Sequence, residues 1–148
     1  LGVDCTEPMR VLPIGKAEKL RDGSQVSLWA IGTMVQKAEK MAELLAASGI
    51  SAGVINMRFA KPLDEALLRE EAIETHFIVT LEEGALAGGV GAAVTASLNR
   101  QELLGTTKIL NFGIPDEFVP QGEIKQLLQD LGLTAEEMAA KVADHLTK

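Results

Sequence analysis

Short, almost wholly apolar runs alternate along the chain with longer segments of helical periodicity. The first apolar run, residues 26–31, lies between two glycines and is typical of a strand buried on both faces. In residues 34–45 apolar side chains recur at spacings of four, three and four, which predicts an amphipathic helix that ends at Gly49. Thr33 and Gln36 match a capping box, so we expect Thr33 to cap this helix.

The same alternation continues through the middle of the chain. It predicts strands at residues 52–57, 76–81 and 108–112, and helices at about residues 64–74 and 90–100. Repeated β-α-β units have right-handed crossovers, so this order of elements predicts a mostly parallel sheet with helices on both faces, a three-layer α/β/α fold.

The two ends of the chain add weaker signals. Residues 16–21 alternate only roughly and predict an edge strand, and Asp22-Gly23 predicts a hairpin turn after it. Helices are predicted at residues 122–130 and 134–146, the second opened by a capping box at Thr134 and Glu137. Residues 1–15 contain two prolines and no periodicity, so we expect a connector from an upstream domain, with residues 16–148 as the folded domain.

Composition and charge exclude several classes of function. A chain of 148 residues with a net charge of −7 lacks the basic surface that binds nucleic acid or anionic lipid. No apolar run approaches the length of about 18 residues that crosses a bilayer, and no signal-peptide pattern is present, so we expect a soluble, cytoplasmic domain. The single cysteine, Cys5, has no partner for a disulfide and is expected to be inert.

A glycine-rich run follows the strand predicted at residues 76–81 and leads into a helix. Ligands of doubly wound sheets bind at such positions, and Gly88, Gly89 and Gly91 suggest a phosphate cradle. However, Val94 stands where the dinucleotide fingerprint has Gly or Ala, and Glu82 and Glu83 would repel phosphate. We therefore favour close packing of the helix on a neighbouring element or on another subunit.

Glu82 and Glu83 are a pair of acids, but consecutive strand residues point to opposite faces of a sheet. A shared acid–base site is therefore disfavoured, and we expect solvated or interface carboxylates, with helix capping or pairing with a partner's arginine as the alternative. Arg58 also follows a strand and is a candidate for binding an anion or an inter-subunit carboxylate, against a simple surface role. Asp64 is expected to cap the next helix.

No self-sufficient active site is evident from the residues. His76 and His145 are the two histidines, and no metal set can be built from them with so few other candidate ligands in register; a general base at His76 is disfavoured. A nucleophile elbow and a phosphate-binding loop of the Walker type are both absent from the sequence.

Several runs, in order, carry a resemblance to a known family. Quoted as they stand, they are Leu12-Pro13-Ile14-Gly15-Lys16, Arg58-Phe59-Ala60-Lys61-Pro62-Leu63-Asp64, Gly88-Gly89-Val90-Gly91 and Pro115-Asp116-Glu117-Phe118-Val119-Pro120-Gln121-Gly122. Over residues 11–148 the chain resembles the third domain of the 1-deoxy-D-xylulose-5-phosphate synthase family, which belongs to the transketolase-type thiamine-diphosphate enzymes.

The resemblance implies a five-stranded, mainly parallel sheet with one antiparallel strand, for which residues 16–21 are the candidate. It implies a homodimeric transferase that joins pyruvate and glyceraldehyde 3-phosphate with loss of CO₂, feeding isoprenoid, thiamine and pyridoxal synthesis. Thiamine diphosphate and Mg²⁺ do the carbanion chemistry in that family, and the residues that bind them lie in the upstream domains. The chain lacks the Gly-Asp-Gly motif of the cofactor site; the nearest match is Arg21-Asp22-Gly23.

We therefore assign no catalytic, cofactor-binding or metal-binding residue to this chain, and we expect the isolated fragment to be inactive and to bind no cofactor. The candidates for interface or site-facing positions are Arg58, Glu82, Glu83, Gly88, Gly89 and Gly91. Two alternatives stay open: the equivalent domain of a transketolase or of a 2-oxoacid dehydrogenase β subunit, and a free-standing interaction module that uses residues 84–94.

Overall fold

The computed structural model describes residues 11–147 and contains a mixed sheet covered by helices. The elements in chain order are β1 (Glu18–Arg21), β2 (Val26–Ala30), α1 (Met34–Ala47), β3 (Ala52–Asn56), α2 (Glu65–Thr75), β4 (Phe77–Ala85), α3 (Val90–Arg100), β5 (Lys108–Ile114), α4 (Ile124–Asp130) and α5 (Ala135–Leu146). Cys5 and most of the predicted connector lie outside the described residues.

The five strands lie in the order β1-β3-β2-β4-β5. Neighbouring strands are parallel except β1, which pairs antiparallel with β3 at the edge of the sheet. The predicted fold class is confirmed, and so is the position of the one antiparallel strand.

Helices cover both faces of the sheet, and each face has its own apolar cluster. On one face α1 and α5 pack against side chains such as Leu28 and Val79, and on the other α2 and α3 pack against Trp29 and Ile78. All five residues of β2 are buried, which explains why this strand reads as a continuous apolar run. Among the described residues, no helix is both long enough and apolar enough to cross a membrane.

One buried carboxylate ties β1, β2 and α2 together. Glu71 of α2 accepts a hydrogen bond of 2.6 Å from the hydroxyl of Ser27, and that hydroxyl accepts the indole N–H of Trp29 at 3.0 Å. The second carboxylate oxygen of Glu71 lies 2.6 Å from the ammonium of Lys19 on β1. This hydrogen bond with Glu71 is the main reason that the pKa of Lys19 is raised. The edge strand is therefore attached to the core through charge as well as through its ladder.

Asp64 has a similar linking role at the start of α2. As predicted, it caps this helix, accepting the backbone N–H of Leu67 at 3.3 Å. It also accepts the N–H of Ala17 and the ammonium of Lys16, both at 3.2 Å. Asp64 thus holds the segment before β1 against the start of α2.

The connection from β1 to β2 is not the predicted hairpin, because the two strands are not neighbours in the sheet. The chain instead passes over β3, and Gly23 lies directly against the backbone of Gly53. A Cβ atom built on Gly23 would overlap the backbone nitrogen of Gly53. Residue 23 must therefore be glycine, because no side chain fits between the two backbones where they cross.

Helix ends also differ from two predictions. The capping box at Thr33 is wrong: Thr33 has helical backbone angles, φ −65° and ψ −19°, and its side chain makes no cap hydrogen bond. The cap at Thr134 is confirmed, since its hydroxyl accepts the N–H of Glu137 at 3.3 Å. His76 does not begin a strand; it ends α2 in the left-handed conformation, and β4 begins at Phe77.

We expect Gly23→Ala to lower the free energy of unfolding by about 2 kcal/mol or more. The added Cβ atom would overlap backbone atoms of β3, which cannot move aside without disturbing the sheet. Urea denaturation would measure the change. Gly105→Ala is the matched control, since a Cβ atom there meets nothing within 4 Å and should leave stability almost unchanged. Equal midpoints for the two variants would contradict the crossing at Gly53.

Asp64 should also give the chain a pH-dependent stability. Burial alone would raise the pKa of Asp64, but the N–H groups of Leu67 and Ala17 and the ammonium of Lys16 outweigh it and hold the pKa below its ordinary value of 3.8. A carboxyl whose pKa is lowered by folding stabilises the protein above its unfolded-state pKa, and this stabilisation is lost as the pH falls toward the folded-state value.

Asp64→Asn should therefore cost about 1 kcal/mol at neutral pH, and the difference from the parent chain should shrink below pH 3.8. Urea denaturation at a series of pH values measures this difference. Asp144→Asn, at an exposed position of α5, is the control and should show no such dependence. A difference at Asp64 that stays constant down to acid pH would contradict this account.

Candidate functional site

The carboxyl ends of the parallel strands β2, β3, β4 and β5 meet at one edge of the sheet, where ligands of such folds bind. β4 extends further than predicted, through Ala85, so Glu82 and Glu83 still belong to the strand. The chain then turns through residues 86–89 and enters α3. This β4–α3 turn is the glycine-rich run of the sequence.

Glu82 closes the start of α3. Its side chain is buried, with 4% of the residue exposed, and its two carboxylate oxygens accept the backbone N–H groups of Val90 at 2.9 Å and Gly91 at 2.8 Å. The residue at the helix cap, Gly89, has no side chain to do this. The expectation of a solvated carboxylate at Glu82 is therefore wrong, and the alternative, a helix cap, is correct. At this position the negative charge of Glu82 also lies at the positive end of the helix dipole.

Gly89 and Gly91 allow this close approach. A Cβ atom on Gly89 would overlap the Glu82 carboxylate, and one on Gly91 would lie 2.7 Å from the hydroxyl of Thr80 and 2.8 Å from the side chain of Asn111. Thr80 and Asn111 face each other on β4 and β5 and are joined by a hydrogen bond of 2.7 Å. The glycines therefore pack α3 onto its own sheet, as the favoured interpretation required.

Thr80 and Asn111 gave no signal in the sequence, because their contact depends on the register of two strands. Gly88 differs from the other two glycines. It is exposed, has a φ of +75°, and a side chain there would meet nothing within 4 Å. Of the three glycines, Gly88 is the one whose surface is open.

Glu83 points away from Glu82 and is exposed, as the strand geometry predicted. Its charge acts on Lys37 of α1: burial lowers the pKa of Lys37, and Glu83 offsets part of that effect. The ammonium of Lys37 donates a hydrogen bond of 3.3 Å to the backbone carbonyl of Leu133. Lys37 thus fastens the start of α5 to α1, next to the candidate site.

Arg58 lies in the connection after β3 and is held within the chain. Its backbone is left-handed, with φ +55°, and its N–H donates to the side chain of Asn56 at 3.1 Å. Its guanidinium lies 2.6 Å from the carboxylate of Glu18 on β1, and the side chain is 17% exposed. In the structure Arg58 therefore pairs with Glu18 of the same chain. Its binding to an anion or to a carboxylate of another subunit stays a prediction.

The described residues do not fit thiamine diphosphate or Mg²⁺. Residues 11–147 contain no group of three or more His, Cys, Asp or Glu that could hold a metal ion. The N-terminus of α3, the natural site for a diphosphate, already binds the carboxylate of Glu82. His76 and His145 are both exposed, and the ring Nδ1 of His145 lies 2.8 Å from the carbonyl of Lys141 in its own helix.

We expect Glu82→Gln to lower the free energy of unfolding by about 1–3 kcal/mol, because the amide would point a donor at one of the two buried N–H groups. Hydrogen exchange at Val90 and Gly91 should quicken in this variant, and urea denaturation gives the stability. Glu83→Gln, on the exposed side of the same strand, is the matched control and should change neither quantity. Parent-like exchange in Glu82→Gln would contradict the cap.

Solved structures with this fold include two transketolases. A split-gene transketolase, described as an inactive β4 tetramer, is 34% identical with a TM-score of 0.86, and the match covers 98% of this chain and 46% of that one. The transketolase of Campylobacter jejuni is 16% identical with a TM-score of 0.60, covering 94% of this chain and 20% of that one, and shows the shared fold alone.

Curated relatives match over nearly the whole chain. The 1-deoxy-D-xylulose-5-phosphate synthase of Heliobacterium modesticaldum is 46% identical over 94% of this chain, and that of Syntrophotalea carbinolica is 40% identical over 99%. The matched part is 21% of the first relative and 23% of the second, so the chain spans about a fifth of their length.

The model of the family described as the transketolase C-terminal domain matches residues 15–138, which include every strand of the sheet and the first turn of α5. Sequence and fold agree, and the predicted resemblance is confirmed. The chain belongs to the transketolase C-terminal domain family.

Proposed function

We propose that this chain is the C-terminal domain of a thiamine-diphosphate-dependent synthase that condenses pyruvate and glyceraldehyde 3-phosphate to 1-deoxy-D-xylulose 5-phosphate with loss of CO₂. The observation that carries the proposal is the match to synthases of this name along nearly the whole chain. The motifs that favour the synthase over its relatives, Arg58 to Asp64 and Pro115 to Gly122, both lie within the matched span.

In this proposal the domain supports the enzyme and supplies no catalytic group. Cofactor and Mg²⁺ would belong to the preceding part of the polypeptide, since the described residues contain no group of three or more His, Cys, Asp or Glu that could hold a metal ion, and Glu82 fills the N-terminus of α3. The parent enzyme would be a cytoplasmic homodimer that feeds isoprenoid, thiamine and pyridoxal synthesis. Residues 1–15 would connect the domain to the preceding one, and residues 16–148 would form it.

A second candidate is the equivalent domain of a transketolase, which the match to the split-gene transketolase favours. The two candidates differ in the substrate that the parent enzyme uses as donor. A synthase decarboxylates pyruvate, whereas a transketolase takes a two-carbon unit from a ketose phosphate.

The decisive experiment uses the longer polypeptide that the gene encodes around this chain. With thiamine diphosphate and Mg²⁺, we expect it to release CO₂ from pyruvate when glyceraldehyde 3-phosphate is present, and to form the five-carbon product, identified by mass spectrometry. Product from xylulose 5-phosphate as donor, with none from pyruvate, would replace the synthase by the transketolase. A gene with start and stop codons around this span would indicate the free-standing module.

The 148-residue chain itself should bind no thiamine diphosphate, with or without Mg²⁺, since the residues that hold them lie elsewhere in the proposal. Isothermal titration calorimetry of the chain and of the longer polypeptide under the same conditions tests this, and heat should appear only with the longer polypeptide. Tight, Mg²⁺-dependent binding to the chain would contradict the proposed division of roles.

A further inference from the structure

Two large apolar side chains are exposed in the segment that follows β5, beyond the carboxyl end of that strand. Phe118 is fully exposed, and Ile124 at the start of α4 is 74% exposed. A single exposed apolar side chain is ordinary, but an aromatic ring that adjoins further exposed apolar groups and hollows is typical of a contact surface.

α4 presents an open face to this surface. It is seven residues long and contains no buried residue, unlike each of the other four helices in the described part of the chain. Ile124, Leu127 and Leu131 recur at spacings of three and four, so they share one side of the helix. Leu128 and Leu131 pack against the α1–α5 core, to which Ile124 and Leu127 do not belong.

Phe118 stands between two shallow hollows. One, of about 300 Å³, is lined by Phe118, Val119, Leu127 and Leu131. The other, of about 270 Å³, is lined by Phe118, Ile114, Pro115 and Ala85, the last residue of β4. We call the surface formed by Phe118, Ile124 and these two hollows the Phe118 surface. Through Ala85 it is continuous with the end of the strand that carries Glu82.

Acidic side chains surround the Phe118 surface. Residues 115–131 contain four acids and one lysine, Lys125, which gives a net charge of 1 − 4 = −3. All four acids are exposed, and none forms an ion pair with a residue in the described part of the chain. They are Asp116, Glu117, Glu123 and Asp130.

We propose that the Phe118 surface is the docking surface for the preceding part of the same polypeptide, which would present apolar side chains to the two hollows and basic side chains to the acidic rim. The inference rests on the proposed function, in which this chain is one part of a longer enzyme. The relatives contain enough additional chain to form such a partner, because the matched part is only 21–23% of their length. An apolar centre with a charged rim is the usual anatomy of such a contact.

A second copy of this chain fits the surface less well. If two Phe118 surfaces met across a two-fold axis, the acidic rim of one would face the acidic rim of the other, and like charges at close range oppose association. A basic and apolar surface from another part of the polypeptide has no such conflict.

The test compares hydroxyl-radical labelling of Phe118 in the longer polypeptide and in the 148-residue chain. We expect the labelling of Phe118 to fall by about ten-fold or more in the longer polypeptide, since the centre of an interface is desolvated. Ile73, which is 49% exposed on α2, should be labelled alike in both. Equal labelling of Phe118 in the two proteins would overturn the inference.

Variants supply the second measurement. In the longer polypeptide, Phe118→Asp with Ile124→Asp should lower the midpoint of thermal unfolding of this domain, and Ile73→Asp should not. In the 148-residue chain, Phe118→Asp with Ile124→Asp should leave the midpoint unchanged, which shows that the pair stabilises a contact and not the fold. A longer polypeptide that tolerates the double variant as well as Ile73→Asp would overturn the inference.

Sedimentation equilibrium of the 148-residue chain tests the alternative in which the partner is a second copy of the chain. A monomer is expected, and a dimer that Phe118→Asp dissociates would assign the surface to a second copy and overturn the inference. Failure of the proposed function is distinguishable from each of these results. A longer polypeptide that protects Phe118 but makes no product from pyruvate would refute the synthase and leave the docking surface intact.

Discussion

The carboxylate of Glu82 occupies the place where the helix α3 meets the edge of the sheet. It accepts hydrogen bonds from the first two N–H groups of that helix. The contact is possible because Gly89 and Gly91 have no side chains and let the helix backbone approach the carboxylate and the sheet. The contact fixes α3 against β4 and, through Gly91, against the Thr80 and Asn111 pair. It also occupies the N-terminus of α3, where a helix of this kind would otherwise favour an anion such as phosphate.

Two other buried acids make similar polar contacts close to β1, the strand at the side of the sheet. Glu71 is buried yet balanced by Lys19, and Asp64 collects two backbone N–H groups and an ammonium from two separate parts of the chain. Each of these acids joins parts of the chain that are distant in sequence. The buried charges add directional contacts between elements, while the two apolar clusters supply most of the driving force.

The buried acids Glu71, Asp64 and Glu82 all take part in contacts within the domain. In the proposed function, the preceding part of the polypeptide would carry the cofactor and substrates, and this domain would contribute a wall and a contact surface. The Phe118 surface fits that division, because it combines an apolar centre with acids that form no ion pair with a described residue. It lies at the same edge of the sheet where related folds bind their ligands.

The order and type of the elements followed from the sequence alone, because buried strands and amphipathic helices leave periodic patterns that depend only on near neighbours. The family was also recognisable there, since its motifs are local runs such as Pro115 to Gly122. The sequence did not determine the passage of the β1–β2 connection over β3 at Gly23, the cap that Glu82 places on α3, or the Thr80–Asn111 pair. Each of these joins residues that are distant in sequence, so only the strand order and register of the folded sheet decide which groups meet.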